Sequence, residues 1–255
     1  KVFDEINRGS FPLSDSRSPL TPRIALQAYA KGKGNPPQTE QDMIDRIYDR
    51  SSCQENDCYP YLQGSDVMRY HYRHSGSYLK YGPWLAEPQK IERFSGTRIL
   101  VREIINSAPY ILNSGALEER ALYNKSIIHI LPNRACAPEI IWGFIAILNS
   151  ALGSFVIRNQ GRKSQRKLFP KIVNDDLRSF PFPPSSLEEW RLLADESKKL
   201  THDIAKLSPQ SLLERQAALD QMVFEMYRLS SESIEAIRES LELKADPSSS
   251  RIASL

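Results

Sequence analysis

The residues of this chain best suited to chemistry are cations set among aromatic rings. Between residues 59 and 81 six tyrosines (Tyr59, Tyr61, Tyr70, Tyr72, Tyr78 and Tyr81) are interleaved with Arg69, His71, Arg73, His74 and Lys80. Lys31 and Lys33 sit close to Gln38 in a glycine- and proline-rich segment. Arg158, Arg162, Lys163, Arg166, Lys167 and Lys171 follow one another with no acid between them. Such patterns suit nucleic acid. Ammonium and guanidinium groups neutralise phosphates and release condensed counterions. Arg and Lys also reach guanine edges, and Asn and Gln reach adenine edges. Taken singly, each segment also reads as a solvated basic face.

The charge balance joins these segments. Residues 1–184 hold 25 basic and 18 acidic side chains, a balance of +7, whereas residues 185–255 hold 9 and 13, a balance of −4. A basic body with an acidic tail points to a polyanion partner for the body alone.

Other chemistries lack their parts. No glycine-rich strand-to-helix turn is present for an adenosyl cofactor. Asn35-Pro-Pro-Gln38 resembles the (Asn/Asp)-Pro-Pro-aromatic motif of amino-methyltransferases, but Gln38 stands where the stacking ring belongs. The segment therefore reads as a proline-rich loop. No P-loop, His-Glu-x-x-His or Gly-x-Ser-x-Gly motif occurs. His71, His74, His129 and His202 have no Cys or carboxylate partners at site spacing. Cys53 and Cys58 have the spacing of half a metal site or a small disulfide loop, and no second pair follows. Free thiols are expected for them and for Cys136. No catalytic residue, metal ligand or cofactor is assigned to the chain.

The elements that must position these groups follow from pattern. With 40% hydrophobic and 25% charged residues the chain has material for a sizeable core. Its longest apolar run, 140–148, is too short to cross a bilayer, so no membrane partner is expected. The first residues, Lys1-Val-Phe3, read neither as a signal peptide nor as a natural start, which suggests a piece of a longer protein. Residues to about 22 are polar and turn-rich, and 23–29 predicts a strand. Residues 39–48 predict a short helix. Ser75-Gly-Ser77 predicts a hairpin turn. Residues 98–105 predict a strand on their β-branched content, and 122–131 a strand pair or one long strand. The apolar period of 138–155 predicts one helix, 158–167 a basic loop, and 168–173 a short strand. Phe180-Pro-Phe-Pro-Pro184 predicts a linker. Ser186 followed by Glu189 forms a capping-box start, Ser208-Pro209 opens a second helix, and 231–243 predicts a third.

These pieces carry a family resemblance. The chain resembles the TaqI-like C-terminal specificity domain of type II restriction-modification methyltransferases. The similar segments are Lys31-Gly-Lys-Gly-Asn-Pro-Pro-Gln-Thr39, Tyr61-Leu-Gln-Gly-Ser-Asp-Val-Met-Arg-Tyr70, Tyr81-Gly-Pro-Trp-Leu-Ala-Glu-Pro88 and Arg98-Ile-Leu-Val-Arg-Glu-Ile104. Tyr123-Asn-Lys-Ser126, Ile147-Leu-Asn-Ser150, Phe169-Pro-Lys-Ile172 and the helix around Leu219 to Ile234 follow in the same order. In that last helix Phe224 and Met226 stand where Tyr and Leu are usual.

The resemblance implies an α+β fold. A curved mixed β-sheet target-recognition domain with flanking helices would span 1–184. A C-terminal helical hairpin or small bundle would follow over 185–245, then a disordered tail over 246–255. It implies double-stranded DNA as partner, read mainly in the major groove. An upstream methyltransferase domain would hold S-adenosylmethionine and flip the target adenine. A cytoplasmic location goes with that role. The candidate DNA-binding residues are then Lys31, Lys33, Gln38, Arg69, Arg73, Lys80, Arg102, Lys125, Arg158, Arg162, Lys163, Arg166 and Lys167. Asp66 is expected to fix a turn or pair Arg69, Trp84 to pack in the core, and Asn149 and Ser150 to cap a helix or bond backbone. Two rivals remain: a nuclease or methyltransferase fragment whose site is not evident, and an assembly module acting through its acidic helices.

Overall fold

Period-two alternation in two strands sets the architecture. The computed structural model describes residues 1–54, 56–164 and 170–243. In chain order these form α1 (Val2–Asn7), β1 (Phe11–Pro12), β2 (Leu20–Ile24), α2 (Glu40–Asp45), β3 (Asp49–Arg50), β4 (Cys58–Leu62), β5 (Tyr78–Lys80), β6 (Arg98–Arg102), β7 (Ser114–Leu117), β8 (Leu122–Tyr123) and β9 (Ile127–Pro132). They continue with α3 (Pro138–Asn149), α4 (Ala151–Gln160), α5 (Asn174–Arg178), β10 (Pro181–Phe182), α6 (Leu187–Asp203), α7 (Pro209–Met226) and α8 (Ser231–Ser240). The result is α+β, with two four-stranded sheets. One is antiparallel in the order β2-β9-β6-β7; the other, β3-β5-β4-β8, is mixed.

β6 and β9 are buried on both faces. Ile99 and Val101 of β6, with Ile128 and Ile130 of β9, join the core beneath the helices. Leu100 and Ile127 point the other way and pack on Tyr61, Leu62, Leu79, Leu122 and Tyr123 of the second sheet. Successive side chains of a strand face opposite sides. A run of alternating contacts thus welds helices, first sheet and second sheet into three layers. Fully burying such a side chain contributes about 1.5–3 kcal/mol.

Several expectations need correction. The N-terminal stretch is not only turns, because α1 packs Ile6 into the core and Phe11–Pro12 pairs with Pro181–Phe182. The expected linker 180–184 therefore supplies β10, with Phe180 and Phe182 buried. Ser75–Ser77 does turn the chain, with Gly76 at φ +85°. It closes no tight hairpin, since β5 pairs with β4 and β3. The apolar helix is two helices, bent by 65° at Ser150, whose hydroxyl accepts from Gly153 N and so starts α4. Among the described residues no single helix is long and apolar enough to cross a membrane. Cys53 and Cys58 form a disulfide rather than free thiols. Cys136 is free, and burial pushes its thiol up to about 11.

The C-terminal helices follow their sequence signals. Ser186 and Glu189 form the reciprocal capping box of α6, and Ser208 caps α7 with Pro209 at its first position. Trp190 of α6 lies over Gly143 of α3, where a Cβ would come within 2.7 Å of the indole. That approach lets α6 join the same core as the sheet. The expected tail 246–255 lies outside the described residues.

Candidate nucleic-acid interface

The candidate site begins at the carboxyl ends of two parallel strands. β4 and β8 run parallel, with Tyr61 opposite Leu122 and Leu62 opposite Tyr123. The next residues, Gln63 and Asn124, therefore emerge side by side, and Asn124 Nδ2 donates to Gln63 Oε1 at 2.9 Å. Asn124 Oδ1 accepts from Ser126 N at 2.9 Å and from the Ser126 hydroxyl, which in turn accepts from Gly64 N at 2.9 Å. Leu26 bridges Asn124 in parallel, which brings Gln27 to the same edge. Asp66 fixes the turn below: it accepts from Gln63 N at 2.8 Å and from the Ser75 hydroxyl at 3.1 Å.

Cations border this carboxamide edge on both sides. Glu87 accepts Lys33 Nζ at 2.6 Å and Lys125 Nζ at 2.8 Å, and Lys125 also reaches Gln27. Hydrogen bonds from Lys125 and then Lys33 draw the Glu87 carboxyl down to about 2. On the other side Glu103 N donates to Ser126 O at 2.8 Å, and the Glu103 carboxylate holds Lys171 at 2.6 Å. Lys171 N bonds Lys163 O at 3.2 Å. A series of direct contacts thus runs from Lys33 through Glu87, Lys125, Ser126, Glu103 and Lys171 to Lys163. Arg102, at the end of β6, adjoins Glu103. Arg73, exposed, hangs from the Asp66 turn through its backbone N–H at 2.9 Å. Exposed ion pairs contribute only about 0–1 kcal/mol, so phosphates can take Lys33 and Lys125 from Glu87 at little cost, whereas the Lys171–Glu103 pair is half-buried.

Other candidates lie elsewhere or are already engaged. Lys31 pairs with Glu40 at 2.8 Å and Arg162 with Asp175 at 3.1 Å, both exposed. Lys80 Nζ sits 5.5 Å over the Trp84 ring. Trp84 is partly buried and joins the second core. Arg158 is on the last turn of α4, not in a loop, and donates to Ser240 O of α8 at 2.6 Å. Arg166 and Lys167 lie outside the described residues, as do 168 and 169 of the expected strand 168–173; the rest of it forms no strand, only an isolated bridge between Lys171 and Ile104.

Two candidates are corrected outright by burial. Gln38 is 3% exposed, and its amide bonds Ala28 O and Trp84 O at 2.8 Å and Ala30 N at 2.9 Å. It pins its loop to the body and leaves nothing for a base. Gly34, at φ +89°, completes that pinning, since a Cβ there would meet Trp84 O at 2.2 Å. Arg69 is 8% exposed and turns inward. Its Nη2 donates to Asn149 O at 2.9 Å and to Gln216 Oε1, and its guanidinium lies 4.1 Å from the Tyr110 ring centre.

Around Arg69 the body and the C-terminal helices share one buried polar network. Tyr70 donates to Gln216 Oε1 at 2.9 Å and Tyr110 to Asp220 Oδ2 at 2.8 Å. Asp220 Oδ1 accepts from Ala151 N and Gln216 Nε2, each at 3.0 Å. Burial raises the Asp220 carboxyl above its usual value despite those donors. Asn149 bonds both backbone groups of Ser114, the backbone role expected for it. Among the described residues no group of three or more His, Cys, Asp or Glu side chains could hold a metal ion.

The chain is a two-sheet α+β body with a polar edge and helices packed behind its first sheet. Residues 59–182 match the TaqI-like C-terminal specificity domain. The chain superposes over 91% of its length on the type IIL restriction-modification enzyme MmeI, solved in complex with DNA. The TM-score is 0.57 at 12% identity, and 36% of that protein is covered; the likeness is one of fold. The type IIG restriction endonuclease BpuSI matches over 89% of the chain and 33% of its own, at TM-score 0.47 and 11% identity. The HsdS subunit from Thermoanaerobacter tengcongensis matches over 89% and 50%, at TM-score 0.36 and 14% identity. The chain spans between about a third and a half of the length of these proteins. No curated protein matches it.

Proposed function

We propose that the chain is the sequence-specific double-stranded DNA recognition module of an adenine-specific DNA methyltransferase or restriction-modification enzyme, working in the cytoplasm. It is not catalytic by itself. Methyl transfer, with S-adenosylmethionine, belongs to an upstream domain of the parent protein. The observation that supports this most is the row of cations, Lys33, Lys125, Lys171 and Lys163, set along one carboxamide-bearing edge and largely inside the family-matched segment. Cations along such an edge grip phosphates and set position, and polar side chains between them reach bases.

The test is duplex binding followed by fluorescence anisotropy as salt is raised. With four to six phosphate contacts, log affinity should fall against log salt with a slope of roughly −4 to −5. A salt-insensitive affinity, or none for any duplex, ends the proposal.

A further inference from the structure

We propose that the carboxamide of Gln63, held by Asn124, reads the major-groove edge of an adenine; this rests on the reading of the chain as a DNA recognition module. The argument starts from a backbone group that can only donate. Ser126 N–H points at the Asn124 side chain, so the atom facing it is the oxygen, and the Asn124 amino group faces Gln63. Gln63 must therefore turn its oxygen to Asn124 and its amino group away. That amino group has no partner among the described residues, and Gln63 is partly exposed. A carboxamide oxygen has two lone pairs, and Asn124 uses one. What remains is one acceptor position beside free N–H donors.

Adenine presents the complement, an N7 acceptor beside an N6 amino donor. Guanine would set O6 against the Gln63 oxygen, and cytosine offers only a donor. Asn124 acts as a positioning residue. Its own place is fixed by the parallel register of β4 with β8 and by Ser126, so the reading group is oriented before DNA arrives. Lys125 follows Asn124 directly in the chain, and Arg73 N bonds Asp66 O in the turn that also holds Gln63 N, so a cation adjoins each of the two carboxamides.

The experiment selects duplexes from a randomised pool with the chain and three variants. The parent chain should enrich a motif with an adenine at one position. Gln63→Leu should lower the preference for that adenine roughly 5- to 150-fold and leave other positions unchanged. Gln63→Glu keeps the acceptor for Asn124, so it preserves the local fold if the leucine variant does not. It should move the preference at that position toward cytosine, whose amino group a carboxylate accepts. Asn124→Leu, which touches no base, should blur the same position. Replacing the adenine by 7-deazaadenine should weaken the parent chain and leave Gln63→Leu unaffected. An unchanged motif in both Gln63 variants, or equal weakening at every position, overturns the assignment while leaving the recognition module intact. A parent chain that enriches no motif overturns both.

Discussion

Arg69 and Lys125 are both cations within the family-matched segment, and they do opposite work. Arg69 is sunk between the sheet and α7, its charge spread over Asn149 O, Gln216 and the Tyr110 face. Lys125 stands in solvent on Glu87. The first region is a junction, where polar groups are stripped of water and most of them are held by fixed partners. The second is a surface, where pairs are loose and exchangeable. A basic residue thus says little until its burial is known. One sequence segment can feed both a locked seam and a ligand face.

The widest separation between the two should appear in stability. Arg69→Ala leaves the Gln216 and Asn149 oxygens short of a donor and Asp220 without its neighbouring cation. It should cost about 3–5 kcal/mol of unfolding free energy. Lys125→Ala should cost under about 1 kcal/mol. Urea melts of the two variants check this, and equal midpoints would erase the distinction.

Binding should reverse the order. Charge reversal at Lys33, Lys125 and Lys171 together should weaken duplex binding about 100-fold or more on every sequence and flatten the salt slope by roughly three contacts. Reversal at Arg162 and Lys163 extends the test to the end of the row. Anisotropy titrations that returned parent affinity would take the phosphate clamp off this edge.

Acid should separate a second buried group from the surface. Arg98 Nε donates to the Tyr123 hydroxyl, which leaves that hydroxyl to donate to His129 Nδ1. His129 Nε2 then carries the proton and has no partner. Burial, helped by the Arg98 charge, holds His129 down to about 3. The unfolded chain takes up that proton near 6.5 while the folded one refuses it, so stability falls as pH drops from about 6.5 toward 3. Glu87 has the same sign in a lower window, from 4.5 toward 2, and is only partly buried. His129→Gln keeps an acceptor for Tyr123 and does not titrate. Its urea midpoint should fall less steeply between pH 6.5 and 4.5 than that of the parent chain.

How far this was legible from sequence depends on what each feature needs. Local signals sufficed for the α6 and α7 starts, where Ser186, Glu189, Ser208 and Pro209 act within one turn. The alternation of β6 needed only five residues. The pairing of Gln63 with Asn124 needs a parallel register between strands 61 residues apart, which no local pattern encodes. The quoted segments around Tyr61 and Tyr123 contained both residues without linking them. Gln38 and Arg69 looked like ligands because their neighbours are polar. Their burial comes from Trp84, Tyr110 and Gln216, each more than 40 residues away. Phe180–Pro184 read as a linker because proline stops regular structure. Two-residue edge strands such as β1 and β10 tolerate it.

The finest test concerns Glu87, an acid held between two of the row's lysines. In the free chain its carboxylate competes with phosphate for Lys33 and Lys125. Glu87→Gln keeps the shape and a hydrogen-bond acceptor but removes that competition and one repulsive charge. Binding should tighten about two- to five-fold at low salt, a gain of under ~1 kcal/mol, and the gain should shrink as salt screens it. Because the change touches no base, the preferred motif should stay the same. If Glu87→Gln weakened binding instead, Glu87 would be orienting the lysines rather than holding them back, and the surface would be more rigidly built than exposed ion pairs allow.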